Sequence, residues 1–203
     1  QFRFKSQRKV TAYIYDLEAK KLISTSDQMQ GIIAGLSFSH DDKLIAAGNM
    51  SGVVKIIDWK KNTTVSTPLP HVTAVGDVAF SKDGNYFATA GWDANIFLYK
   101  TGDYSKTDTL KGHTNVINTL KFNDASTLLA SGATNNVISK SDNSIKTWDL
   151  STKKEICTYE GHWDGVNEIV FEKGTDRIFS CANDGTMQLS DPRSCKKIAT
   201  FIS

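Results

Sequence analysis

Two markers recur along this chain at one interval, and that recurrence limits the fold more than any other feature. Phe38, Phe80, Phe122 and Phe171 each close an apolar segment, with gaps of 42, 42 and 49 residues. Asp16, Asp58, Lys100, Asp149 and Asp191 end a second kind of segment, with gaps of 42, 42, 49 and 42. Both series stretch by the same seven residues at the same place, so one unit has been copied along the chain and one copy carries an insertion. A unit of this size cannot bury its own core, so the copies must stack on one another. The extra residues fall between Phe122 and Asp149. There the small, polar segment Ala133–Ser141 reads as an enlarged hairpin loop, either a tolerated surface insertion or an arm towards a partner.

Within a unit the pattern is that of strands. Val75–Phe80 is apolar at intervals, as an inner strand should be, and Lys82-Asp83-Gly84-Asn85 is a turn in which Asp-Gly supplies positive φ. Tyr86–Ala90 and Ile96–Tyr99 follow as second and third strands around the turn Trp92–Asn95, with a fourth strand near Asp108–Leu110. The three prolines, Pro68, Pro70 and Pro192, all fall in connections, and no segment holds a helical period. At the N-terminus Val10–Asp16 reads as a third strand, Lys21–Thr25 as a fourth and Phe2–Lys5 as the second strand of the same unit. At the other end Lys197–Ile202 reads as the last outer strand. The units therefore run over 1–26 (partial), 31–67, 73–111, 115–159 and 165–203.

A net charge of +2 argues against a dedicated nucleic-acid binder, and Arg3, Lys5, Arg8 and Lys9 read as a solvated chain end. No apolar run approaches the roughly 18–20 residues of a membrane span, so no membrane insertion is expected. The charged opening Gln1-Phe2-Arg3-Phe4-Lys5 does not read as a secretory signal. Cys157, Cys181 and Cys195 are odd in number and include no C-x-x-C pair, which argues against a disulfide framework and a zinc site. Cys181 lies in an apolar run and reads as a buried core thiol. This usage fits a reducing, intracellular setting, cytoplasmic or nuclear. Phosphate loops, dinucleotide turns and calcium loops are absent, so no cofactor or metal is expected.

The pairs Gly112-His113 and Gly161-His162, with Pro70-His71 as a variant, open three units, and Trp148-Asp149 closes one. Tyr15-Asp16, Ile57-Asp58, Tyr99-Lys100 and Ser190-Asp191 are degraded versions of that closing pair, and Ser81-Lys82-Asp83-Gly84 matches the turn after the first strand. In these residues, over nearly its whole length, the chain resembles the WD40 repeat family. The resemblance implies an all-β, WD40-type β-propeller with about four complete four-stranded blades and a partial fifth. A common ring of about seven blades would need roughly 300 residues at this period. The chain then reads as part of a longer propeller, or as one closed by a second copy or another propeller segment; a five-bladed ring is the third arrangement.

The resemblance also implies a buried His, Ser/Thr, Asp and Trp set that staples the strands of each blade. The second full unit offers His71, Thr89, Asp93 and Tyr99. The third offers His113, Asp142 and Trp148, with Ser131 as the candidate hydroxyl. The fourth offers His162, Ser180 and Asp184, with Ser190 where Trp would stand. The first full unit holds Met29, Ala47, Ser51 and Ile57 at these places and must rely on apolar packing. Recurrence in successive units explains these groups as structure although they mimic a catalytic triad, so no enzyme is expected. His40 reads as an exposed turn residue.

Family members bind partners mainly on the face bearing the turn between second and third strands and the start of the first strand. The matching positions are Met50, Trp92, Ser141 and Asn183 from the turns, and Ile32, Ala34, Ala74, Val116, Asn118, Gly165 and Asn167 from the strand starts. Trp92 and Met50 suit interface anchors, with packing of Trp92 on its own blade as the alternative. Trp163 reads as packed against a neighbouring blade. The expected function is a non-catalytic protein-interaction scaffold or adaptor within a multiprotein complex. Two other readings stand beside it. Asp191-Pro192-Arg193 resembles a short motif of substrate receptors of cullin-RING ubiquitin ligases, in which Arg193 would contact the adaptor. A propeller enzyme would need titratable groups converging on the central channel, and none is expected beyond the stapling sets.

Overall fold

The computed structural model describes residues 9–68, 71–134 and 142–202. Phe2–Lys5, Pro70 and the part of the insertion from Asn135 to Ser141 lie outside them. The first pair of strands, β1 (Lys9–Asp16) and β2 (Lys21–Gln30), forms a two-stranded antiparallel sheet. Four four-stranded sheets follow: β3 (Ile33–Phe38), β4 (Leu44–Asn49), β5 (Val54–Asp58) and β6 (Thr63–Ser66); β7 (Val75–Phe80), β8 (Tyr86–Gly91), β9 (Asn95–Lys100) and β10 (Lys106–Lys111); β11 (Val116–Phe122), β12 (Leu128–Thr134), β13 (Ile145–Asp149) and β14 (Lys154–Tyr159); and β15 (Val166–Phe171), β16 (Ile178–Ala182), β17 (Thr186–Asp191) and β18 (Lys196–Ile202). In each, successive strands pair antiparallel in chain order. The molecule is all-β: four complete blades and two strands of a fifth, with no helix long and apolar enough to cross a membrane among the described residues.

The two periodic markers have physical causes. Each marker Phe ends a first strand, where the chain turns through a small hydrogen-bonded hairpin. Ser81 Oγ donates to Asp83 and accepts from the Tyr86 amide, while Gly84 supplies φ 73°. The marker Asp ends a third strand and caps the following turn. Asp16 accepts from the Ala19 amide, Asp58 from Lys60 and Lys61, Asp149 from Ser151 and Thr152, and Asp191 from Arg193. Lys100 breaks the series because its turn is one residue longer, and Asp103 caps it by accepting from Ser105.

The core lies between sheets. Ile96, Leu98 and Leu110 of one blade pack with Ile117, Leu120, Leu129 and Trp148 of the next, and Val54 and Ile56 pack with Val75, Phe87 and Tyr99. Packing between neighbouring sheets runs mainly through their first and second strands, so the outer strands splay apart. Both ends of the stack are open. Leu36 and Phe38 are 54% and 48% exposed, whereas Val78 and Leu120, at the position of Leu36 in later blades, are 2% and 0%. Among the described residues the partial blade shows only β1 and β2, which leave them uncovered. At the other end Val170, Met187 and Phe201 lie exposed on the last sheet.

The structure corrects five expectations. β2 runs on to Gln30, and β12 continues through Ala133 and Thr134 because Ile117 and Val116 pair with them, which shortens the inserted loop. Cys157 and Cys195 form a disulfide, with 5.3 Å between their Cα atoms. An odd count leaves one thiol over but does not stop two others from meeting across adjacent blades. Cys181 is a partly exposed free thiol rather than a buried one, because its side of the last sheet has no neighbour. Trp163 is 74% exposed and meets its blade through its amide, which donates to Asp184.

Candidate interaction site

Three blades carry the same staple. His71 Nδ1 lies 3.0 Å from Asp93 and Nε2 2.8 Å from Thr89 Oγ1. His113 stands 2.9 Å from Asp142 and 2.8 Å from Ser131, and His162 stands 2.9 Å from Asp184 and 2.8 Å from Ser180. In each case the carboxylate also accepts the amide that follows the histidine, from Val72, Thr114 or Trp163. Trp148 Nε1 donates to Ser131 Oγ at 2.9 Å, and the Tyr99 hydroxyl bonds to Thr89 in the blade before. In the last blade the buried Ser190 hydroxyl, at the place of Trp148, has no hydrogen-bond partner among the described residues.

Burial and hydrogen bonding act in opposite directions on His71, Asp184 and Asp142. For His71, burial prevails. It pushes the His71 pKa down, against the pull of Asp93. It pushes Asp184 up, but hydrogen bonds from Thr186 and His162 outweigh it and hold the carboxyl at about 2. Asp142 is held below the carboxylate range in the same way, with His113 and Ser144 overcoming burial. Thr89, Ser131 and Ser180 are buried, so none of the three hydroxyls is open to a substrate carbonyl despite the triad-like geometry. Among the described residues no group of three or more His, Cys, Asp and Glu side chains is placed to hold a metal ion.

The first full blade replaces the staple. Met29, Ala47 and Ile57 form a buried apolar cluster with Ile33 against it. Asn49 takes over the turn: its Oδ1 accepts the Ser51 and Val53 amides at 3.0 and 2.9 Å, where Asp93 accepts the matching Asn95 amide. Asn49 stands at the position of Gly91, where a Cβ would fall 2.2 Å from His71 Nδ1. A histidine in the place of His71 and a side chain in the place of Gly91 therefore exclude each other.

The same ladder slip occurs in every complete blade and builds the candidate site. Between first and second strands the register jumps once, leaving Ala34, Gly76, Asn118 and Asn167 unpaired as bulges. Such bulges re-aim side chains, and these four line one polar hollow of about 500 Å³. Met50 and Trp92 stand at its rim, 36% and 39% exposed, held by amide bonds to the carbonyls of Ile32 and Ala74. Asn183 is exposed and joins the hollow by accepting from Asn167 Nδ2 at 2.7 Å. Ala74, Val116 and Gly165 are buried, so only their backbone lies near the face. Ile32, 70% exposed, does not line the hollow. Its counterparts Ala74 and Val116 are 6% and 4% exposed, which ties its exposure to the incomplete neighbouring blade. Arg193 is exposed on the β17–β18 turn, outside the hollow, and Ser141 lies outside the described residues.

The hollow also holds a charge cluster that the sequence did not disclose. Lys121 Nζ lies 3.1 Å from Glu168 and 3.9 Å from Asp77. Burial raises the Asp77 pKa, opposed by the Leu120 amide, which donates to it at 2.9 Å, and by Lys121. Titratable groups do converge at the centre, contrary to expectation, as one lysine between two acidic side chains that links β7, β11 and β15. Asp77 and Glu168 hold matching places just after their bulges, a signal visible only once the slipped register is known.

A protein-family model described as WD domain, G-beta repeat matches residues 19–58, 62–100, 104–149 and 153–191, most of the chain. The chain belongs to the WD40 repeat family. Each matched WD40 repeat comprises the outer strand of one sheet and the three inner strands of the next: 19–58 covers β2 and then β3 to β5. Nuclear distribution protein PAC1 of Arthroderma otae is 29% identical over 151 residues, 72% of this chain and 33% of that protein. Pre-mRNA-splicing factor cwf17 of Schizosaccharomyces pombe is 29% identical over 133 residues, 64% of this chain and 37% of its own. WD repeat-containing protein 91 homolog of Dictyostelium discoideum is 24% identical over 169 residues, 76% of this chain and 20% of its own. The chain thus spans between about a fifth and two fifths of these relatives.

Proposed function

We propose that this chain is a non-catalytic interaction scaffold that grips a protein segment in the hollow framed by Met50 and Trp92. The observation that carries the reading is the alignment of four bulges on one polar hollow with two large apolar side chains fixed at its rim. Large apolar side chains, aromatics above all, are the usual sources of binding energy at protein interfaces, with polar groups around them. Membership of a family whose repeats mediate protein–protein contacts supports it. Burial of Thr89, Ser131 and Ser180, and the pairing of Lys121 with Asp77 and Glu168, speak against a propeller enzyme. Nothing beyond the exposure of Arg193 supports the ligase-receptor reading. A cytoplasmic or nuclear setting is supported by relatives named for nuclear distribution and pre-mRNA splicing, and the Cys157–Cys195 disulfide means that the cysteines give it no support.

The test is affinity capture on the purified chain, identification of the retained protein by mass spectrometry, and titration of that protein against variants. Trp92→Ala with Met50→Ala weakens binding by roughly 10- to 1,000-fold if these are anchors of ordinary strength, about 1.4–4 kcal/mol. Unaltered affinity moves the site off this face. We also infer that further blades, from a longer chain, a second copy or another propeller segment, complete the ring. Leu36 and Phe38 at one end and Val170, Met187 and Phe201 at the other support this reading.

A further inference from the structure

The disulfide joins the outer parts of two neighbouring blades. Cys157 lies in β14, the outer strand of one blade, and Cys195 in the β17–β18 turn of the next. Neighbouring sheets meet mainly through their first and second strands, so this bond adds a covalent tie on the outer side of the junction. The closed loop contains β15, β16 and β17, the inner strands of the last blade. That blade is packed on one side only, with Val170, Met187 and Phe201 exposed on the other.

The two sulfurs have unequal surroundings. Cys157 is 3% exposed in the core with Ile145, Val166 and Ile178, while Cys195 is exposed. Cys195 also occupies a left-handed position, φ 55°, which the first full blade fills with Asn62 at φ 53°. An asparagine would satisfy that backbone with less strain, so the turn alone does not account for a cysteine there.

We propose that Cys157–Cys195 is a reversible thiol–disulfide site that latches the terminal blade and is opened by small thiol reductants. A reductant thiolate attacks Sγ of Cys195, the exposed residue of the pair. The S–S bond breaks, its electron pair leaves on Cys157 Sγ, and that sulfur takes a proton. A second reductant thiol resolves the mixed disulfide, so two electrons pass to the protein, which ends with two thiols, and the reductant ends as its own disulfide. Burial of the leaving Cys157 makes it a poor leaving group, so exchange is slow and the latch holds until reductant is abundant.

Hydrogen exchange followed by mass spectrometry, with and without dithiothreitol, tests this on the whole chain. Reduction speeds exchange of β16 and β17 amides at least 10-fold and leaves residues 33–111 unchanged. Cys195→Asn, which keeps the turn, exchanges like the reduced protein in either condition, and Cys181→Ser behaves like the parent. Three results each overturn the proposal: exchange in the last blade indifferent to reductant, acceleration spread equally over all blades, or alkylation of Cys157 and Cys195 in unreduced, denatured protein as complete as that of Cys181.

Discussion

A histidine bonded at both ring nitrogens has lost the freedom that makes histidine a catalyst, and three residues here are held in that way. Their pattern was legible in the sequence because it repeats: His and Asp are 22 residues apart in two blades and 29 in the blade with the insertion. Asn49 was not legible, because the turn's acceptor moved two positions when the histidine was lost, and no spacing rule follows such a move. Asp184 carries a pH prediction. Its folded pKa of about 2 lies below the ordinary 3.8, so the folded state favours the carboxylate. The resulting stability is complete above 3.8 and is lost as pH falls towards 2. Urea unfolding should therefore show wild type more stable than Asp184→Asn by on the order of 2 kcal/mol at pH 6, with the gap closing by pH 2. A gap that stays constant with pH would assign the effect to shape alone. Ser190 and Trp148 make a contrasting pair. Trp148→Ala should cost about 3–5 kcal/mol, while Ser190→Ala should leave stability unchanged or raise it by up to about 1 kcal/mol, since it removes an orphaned buried hydroxyl.

Strands were read well because each one ends at a marker with a mechanical reason to be there, a hairpin after the phenylalanine and a capped turn at the aspartate. What the sequence hid is the bulge. Alternation predicts which side chains face out, and one slipped register reverses that answer beyond the slip; Ala74, Val116 and Gly165, which the resemblance put at the strand starts before the slip, are buried. The charge cluster was missed for the same reason. The first full blade offers a test of how its staple was exchanged. Met29→His alone buries an imidazole against Asn49 and should lose about 2–4 kcal/mol. Adding Ala47→Thr, Asn49→Gly and Ser51→Asp rebuilds the arrangement of the next blade and should recover most of the loss. Chemical denaturation of the single variant, the triple variant that keeps Met29 and the quadruple variant measures the coupling, and simple additivity would show that Met29 and the other three positions are unrelated.

At the scale of the whole molecule, stability is close to a sum of blades and their junctions, and the junctions at both ends are unfilled. The chain alone should therefore self-associate, with mass by light scattering rising with concentration. A strictly monomeric chain up to high concentration would mean that the open faces are covered from within. The latch adds to the last junction. Closing a loop of 38 residues is worth about 4 kcal/mol in the chain-entropy picture, so reduction should lower the melting temperature by several degrees. The number of blades was legible from the period, whereas the cross-blade pairing of cysteines was not, because it depends on how far outer strands diverge. One last consequence follows from the offset between matched repeats and sheets. The segment that recurs in the sequence begins in the outer strand of one sheet and ends inside the next, so it is never an independent body. A tandem duplication cut at that boundary inserts a new sheet while every existing one keeps four strands, and the old and new copies arrive already interlocked. An array of this kind can lengthen by simple copying at the level of the gene, with no intermediate ancestor left holding a broken sheet.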